Sequence, residues 1–257
     1  MMAGVPRGLL IVVALVACRP VLAAGPDDVP RTRVAAEIRH ESVDSGLDDW
    51  HGLRLSVTRT GRWTRGWHGA LVHEERFGLS DTGIEVGSFH PLSDDWMLQV
   101  EAGGAADADF LPHGYAGLGV TRRLPGGWLV SGALRRSHYP TDRVDRASFD
   151  VERYVGAWRL AYGHDVARLD GASLGSHEVA VDWYHGERNV IGVRLNTGKD
   201  ASRRPDGRLL ATDVRAAWVR GTQWVSPAWA FDWAVGVVDQ HAAYDRSWVQ
   251  VGIRREL

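Results

Sequence analysis

Hydrophobic and polar positions along this chain alternate with a period of two for most of its length. The last stretch shows it clearly. Val249, Val251, Ile253 and Leu257 fall on one parity, interrupted only by Arg255, while Trp248, Gln250, Gly252, Arg254 and Glu256 fall on the other. Period-two alternation gives a β-strand one apolar face and one polar face. From Val34 onward such segments recur at 34–43, 51–60, 66–77, 81–90, 95–105, 113–123, 127–138, 145–155, 157–167, 175–187, 189–199, 208–220, 228–239 and 244–257. Gly, Pro, Asp and Asn separate them. Each is about twice the usual globular strand of about 5–6 residues, and matches the about 9–11 tilted residues that cross a bilayer. The pattern predicts an all-β, antiparallel up-and-down transmembrane β-barrel of about 12–14 strands over 25–257, with the junctions 139–147 and 221–228 readable in two ways.

Face assignments follow from parity. Trp67, Trp96, Trp128, Trp158 and Trp229 each open an odd-numbered segment and share parity with its apolar side, as in Trp229/Phe231/Trp233/Val235/Val237. Rings repeated at one height on the lipid side would form a periplasmic aromatic girdle. The opposite parity is charged. Glu74, Arg76, Glu85, Glu101, Arg135, Asp182, Arg215, Asp232 and Arg254 are expected in the lumen, along with Arg54, Asp150, Glu152, Arg159, Arg194 and Asp213. Arg122, Arg153, Arg220 and Arg255 are expected outside, near the periplasmic ends, where long side chains reach the headgroups. With both termini periplasmic, the connections 44–50, 106–112, 168–174 and 200–207 would be the long outer loops.

The first 24 residues differ. Arg7 precedes nine apolar residues, Leu9–Ala17, too few to span a bilayer as a helix. They read as a signal peptide cleaved after Ala23 or Ala24. An alternative reading takes Leu15-Val16-Ala17-Cys18 as a lipobox with Cys18 lipidated, although Arg19-Pro20 continues it poorly. The rest of the chain contains no cysteine, so neither a disulfide nor a thiolate metal site is available to it. The net charge of −2 argues against a nucleic-acid partner. Twelve tryptophans suit a membrane interface better than a soluble core.

At Glu74-Glu75-Arg76-Phe77-Gly78, with Asp81 following, the chain resembles the YaiO family of outer-membrane β-barrels. Pro91…Asp95-Trp96 and Tyr154-Val155-Gly156-Ala157-Trp158-Arg159 add to the likeness, which spans the mature chain, while the final Leu257 departs from the commoner terminal Phe. The resemblance implies a location in the outer membrane of a Gram-negative bacterium and an association with export or modification of surface polysaccharide. It supplies no catalytic residues. The partners it implies are outer-membrane lipid and lipopolysaccharide, the barrel-assembly machinery, and glycan-synthesis or export proteins.

No cofactor, metal or catalytic site is expected. Glu74 and Arg76 share a parity and read as a lumen ion pair or as part of a charged constriction. The eleven histidines show no paired metal-ligand spacing. Ser137 and His138 point to opposite faces, and Ser88 and His90 share the lipid face. Three functions stay open: a non-enzymatic barrel for passage or assembly of a surface polysaccharide or other polar solute, a sealed structural or interaction barrel, and a lipid-modifying enzyme.

Overall fold

A computed structural model describes residues 31–257 apart from 45, 62–64, 140–141, 170, 204–208 and 241–243. The signal segment and Cys18 lie outside the described residues. Fourteen strands are present: β1 (Arg31–Val43), β2 (Trp50–Thr60), β3 (Gly66–Arg76), β4 (Leu79–Pro91), β5 (Trp96–Ala105), β6 (Gly114–Leu124), β7 (Trp128–His138), β8 (Arg143–Val155), β9 (Trp158–Leu169), β10 (Ala172–His185), β11 (Asn189–Arg203), β12 (Leu209–Trp224), β13 (Trp229–Gln240) and β14 (Tyr244–Glu256). Each pairs antiparallel with its sequence neighbours, and β1 closes the sheet on β14 in a register running from Arg33↔Glu256 to Val43↔Arg246. Closure leaves no unpaired edge, which is what a sheet must achieve where no water can satisfy its backbone. Arg31 and Leu257 lie at one end of the barrel, where the Leu257 amide donates to the Thr32 carbonyl. We call this the terminal end and the other the far end.

Alternation sets the two faces. Ile38, Ile84 and Leu134 point outward and are 58%, 62% and 65% exposed, part of an apolar belt that runs from strand to strand around the wall. A band this continuous marks a membrane-facing surface. The buried residues lie inside the cylinder instead of between two layers. Val43, Trp50 and Tyr244 with Phe77 form one cluster at the far end, and Tyr139, Val144, Leu169 and Leu174 form another.

Three turns show how local sequence closes the hairpins. β3 and β4 are joined by Phe77 (φ 55°) and Gly78 (φ 72°) alone, the two positive φ values that suit the right-handed twist of a two-residue hairpin. Phe77 adopts a conformation that bulky residues avoid, and its ring packs edge-on to Trp50 at 5.0 Å between centroids. The stretch 168–174, expected as a long loop, is a tight turn instead: β9 runs to Leu169, β10 starts at Ala172, and Leu169 and Ala172 are register partners. Gly171 (φ 81°) makes that reversal possible. The ambiguous 221–228 junction resolves into strand up to Trp224 followed by a short turn that returns the Val225 amide to the Trp229 carbonyl.

Candidate functional site: the charged lumen

Fourteen strands spaced about 4.8 Å apart and tilted by about 40° enclose a wall on the order of 28 Å across, measured between backbones. Whatever the barrel does internally depends on the side chains that fill this bore. They form three groups.

At the far end the expected Glu74–Arg76 pair forms, with Arg76 donating to Glu74 at 3.0 Å. It belongs to a longer chain of alternating charge. Arg39 donates to Glu74 at 3.0 Å and pairs with Glu41 at 3.0 Å, and Arg246 donates to the buried Glu41 at 2.6 Å. The Arg76 and Arg246 guanidinium carbons lie 5.0 and 4.6 Å from the Trp50 ring centre. Beside them the eight-residue connection between β5 and β6 is anchored to the barrel through Asp81 on β4. The Asp81 carboxylate accepts the backbone N–H groups of Asp109, Phe110 and Leu111 at 2.9, 2.9 and 2.7 Å. Phe110 is buried, with the Arg76 guanidinium 5.3 Å from its ring centre. The Glu-Glu-Arg-Phe-Gly stretch and Asp81 thus form one unit: two lumen charges, a hairpin turn and a loop anchor. Asp81 had no assigned role in the sequence reading. An aspartate that binds a loop 28–30 positions away leaves no local spacing signal.

The middle layer holds Arg54 with Glu85 at 2.5 Å and Arg135 with Glu101 at 3.6 Å. Arg135 also lies 3.5 Å from the Tyr115 ring centre. Glu101 folds over Gly117, whose missing side chain makes room for it.

Toward the terminal end, Asp182 has no exposed surface and accepts from Arg159 at 2.6 Å, Arg194 at 2.9 Å and Arg220 at 3.4 Å. Arg159 also holds Glu152 with two hydrogen bonds of 2.8 Å. Burying a carboxylate completely is tolerated only with this many donors around it. Asp232 accepts from Arg254 at 2.9 Å and Thr222 at 2.6 Å. At the rim, Glu256 pairs with Arg33 at 3.3 Å, Arg31 at 3.8 Å and Arg188.

Of the fifteen charges expected in the lumen, thirteen stand there; Asp213 does not, and nor does Arg215. It is exposed on the outer wall, in register with Thr197 and Asp239, and Asp213 shares that face. Arg220 is the converse, expected outside and found on Asp182. Strand β12 is therefore inverted relative to the sequence reading, and the reason is aromatic. Trp218 and Trp248 both point inward, 6.5 Å apart, across Gly236, where a Cβ would approach the Trp218 Cβ to 2.6 Å and the Trp248 ring to 2.7 Å. An inward tryptophan made the lumen face of β12 resemble its lipid face.

Outside, Trp67, Trp96, Trp128, Trp158 and Trp229 all lie on the outer wall near the terminal end, between 37% and 48% exposed. Arg122, Arg153 and Arg255 lie over Trp96, Trp128 and Trp229 at 5.0, 4.9 and 5.2 Å, each arginine the register partner of its tryptophan. Trp158 stacks on Trp183 at 6.1 Å. Ser88 and His90 are also on this face, 3.0 Å apart.

A closed all-strand cylinder, apolar outside and charged within, defines an outer-membrane β-barrel of porin-like type, and the protein resides in the outer membrane. The YaiO membrane beta barrel domain matches residues 31–203, and the chain belongs to this family. Among solved structures it is similar to a bacterial polysaccharide outer membrane secretin (TM-score 0.53, 7% identity, covering 90% of this chain and 99% of that one). It is also similar to Salmonella typhi OmpF in complex with daunomycin (TM-score 0.50, 9% identity, 89% and 97% covered) and to an anion-selective porin from Comamonas acidovorans (TM-score 0.49, 11% identity, 89% and 99% covered). At these identities the likeness establishes the fold. No curated protein matches the sequence.

Proposed function

We propose that the barrel is non-enzymatic and passes a polar, sugar-based solute across the outer membrane, with its terminal end in the periplasm. The observation that carries this reading is the pair Trp218 and Trp248, which face the lumen among charged neighbours instead of facing lipid. Aromatic faces beside fixed charges offer a sugar both an apolar platform for its ring C–H surface and hydrogen-bond partners for its hydroxyls. The polysaccharide secretin is built on the same fold, so the architecture is compatible with such a cargo. In this reading the tryptophans at the terminal end are the periplasmic girdle, residues 1–24 are removed on export, and glycan-synthesis or export proteins are the partners. The test is liposome swelling with maltose and maltohexaose, together with single-channel recording. Passage predicts measurable sugar flux and conductance steps that change in Arg76→Ala and Trp218→Ala; neither flux nor conductance would overturn it.

A second reading has its own observation. The loop anchored by Asp81 and the buried layer of Trp50, Glu41 and Arg246 narrow the far end. If they close it, the barrel is a sealed structural element that presents its outer loops, and the same recordings would show a silent bilayer.

A further inference from the structure

The outer wall is unevenly charged around its far end. Where β7, β8 and β9 leave the apolar belt, Arg136, Arg143 and Arg168 point outward and are exposed. Register fixes their spacing: Arg136 and Arg168 are both partners of Asp145, and Arg143 is the partner of His138. With strands about 4.8 Å apart and about 3.4 Å per residue, Arg136 and Arg168 stand about 10 Å apart across Asp145, and Arg143 about 7 Å beyond it. Asp145 accepts two hydrogen bonds from Arg136, at 2.6 and 3.0 Å. Arg143 and Arg168 form no ion pair among the described residues. Asp142, just before Arg143, is buried and engaged in an interaction of its own. Asp170 lies outside the described residues; even with it, the exposed guanidiniums outnumber their carboxylates three to two.

Depth places this cluster at a membrane surface. Arg136 is eight positions beyond the girdle residue Trp128 on β7, and Arg168 ten beyond Trp158 on β9. At about 3.4 Å per residue and a tilt of about 40° they stand about 21 and 26 Å from the girdle, the height of an apolar band of about 25 Å. Directly beneath them Leu134, Ala147 and Val166 form one outward row of register partners. Elsewhere the far rim has no such cluster. Lys199 and Arg215 stand on β11 and β12 beside Asp213. From β13 round to β6, the described outward residues of the far half include Glu75, Asp239 and Asp245 and no arginine or lysine.

We infer that Arg136, Arg143 and Arg168 form a lipid-docking site on the outer wall, and that its occupant is the phosphorylated, acylated glycolipid of the outer leaflet, lipopolysaccharide. A ligand that meets these arginines and the row of Leu134, Ala147 and Val166 together must carry anionic groups and hydrocarbon in one molecule. Guanidinium forks match phosphate oxygens in two-point contacts, and cations at headgroup depth attract anionic lipid. Asp145 holds Arg136 in place, and Arg143 and Arg168 are left to engage phosphate. The aliphatic row beneath supplies apolar contact for an acyl chain. Placing the far end in the outer leaflet rests on the orientation proposed above; passage itself is not required.

Binding of defined lipids to the purified protein in neutral detergent tests this. Lipid A with both phosphates should bind at least tenfold more tightly than lipid A stripped of phosphate, and than phosphatidylglycerol. The double variant R143S/R168S, which leaves the Arg136–Asp145 pair in place, should bring bisphosphorylated lipid A down to the affinity of the stripped form. K199S/R215S should leave that affinity unchanged. Asp145→Asn, which removes the competing carboxylate, should tighten it, so misfolding of one variant does not decide the outcome. Heat-modifiable mobility checks that each barrel is closed. Equal affinity for all three lipids, undiminished binding by a folded R143S/R168S barrel, or loss of binding in K199S/R215S instead would each overturn the inference. Preference for phosphatidylglycerol would overturn it too, and would set this end against the phospholipid leaflet. Neither Arg143 nor Arg168 faces the bore, so sugar flux and conductance should match the parent in R143S/R168S. A silent bilayer would therefore overturn passage alone and leave the lipid site standing.

Discussion

The Asp81 carboxylate accepts the backbone N–H of Phe110 at 2.9 Å, joining strand β4 to a loop 29 positions further along the chain. With the neighbouring bonds to Asp109 and Leu111 it is the polar anchor of the β5–β6 connection against the far mouth.

Removing that anchor should free the loop. Hydrogen bonds to a charged group contribute about 1.5–3 kcal/mol each, so Asp81→Ala should release the 106–113 segment while the barrel stays closed. The expected result is faster protease cleavage within 106–113, with heat-modifiable gel mobility unchanged. A loop as resistant as in the parent protein would show that packing of Phe110 alone holds it.

Asp182 is the strongest internal stability test. Its removal leaves Arg159, Arg194 and Arg220 without their shared carboxylate, and breaking a buried ion pair from one side costs about 3–5 kcal/mol. Asp182→Ala should lower the urea midpoint in detergent well below that of the parent. Adding Arg194→Leu should restore part of it, because the uncompensated charge is then reduced.

The outward tryptophans should report one depth. Single-tryptophan proteins retaining Trp67, Trp96, Trp128, Trp158 or Trp229 should be quenched most by lipids brominated near the headgroup. All five should give similar depth profiles. Arg255→Ala should cost only about 0.5–1 kcal/mol, the size of an exposed cation–π contact with Trp229. A tryptophan quenched by aqueous iodide but not by brominated lipid would not face the membrane.

Gly236 separates Trp218 from Trp248. A side chain there must displace one of the two rings, so Gly236→Val should destabilise the barrel by about 1–3 kcal/mol, the usual penalty for overpacking. It should also perturb near-ultraviolet circular dichroism from the paired indoles. An unchanged spectrum would mean that the two rings do not share this site.

Much of this architecture was legible in the sequence. Alternation in segments such as Trp229–Val237 or Val249–Ile253 is a local consequence of the pleat, so strand identity and the inside–outside assignment could be read residue by residue. Counting those segments led to the barrel, and the tryptophans opening the odd-numbered strands placed themselves on the outer wall. Alternation depends only on which residues neighbour each other along the chain, so it required no knowledge of partners.

What needed the tertiary structure was every feature set by a partner across the bore or around the wall. Strand β12 offered apolar residues on both parities. Its face was decided by Asp182 on β10, which takes Arg220, and by Gly236 on β13, which makes space for Trp218. Asp81 gains its role from a distant loop, and Glu256 from arginines on β1 and in the β10–β11 turn. The turn at Gly171 follows from β9 and β10 continuing their register further than their local alternation suggested. Sequence alone determined that this chain is a membrane barrel with a charged interior. Only closure of the sheet decided which charges meet, because an ion pair is fixed by distance in space and the chain's order does not encode that distance.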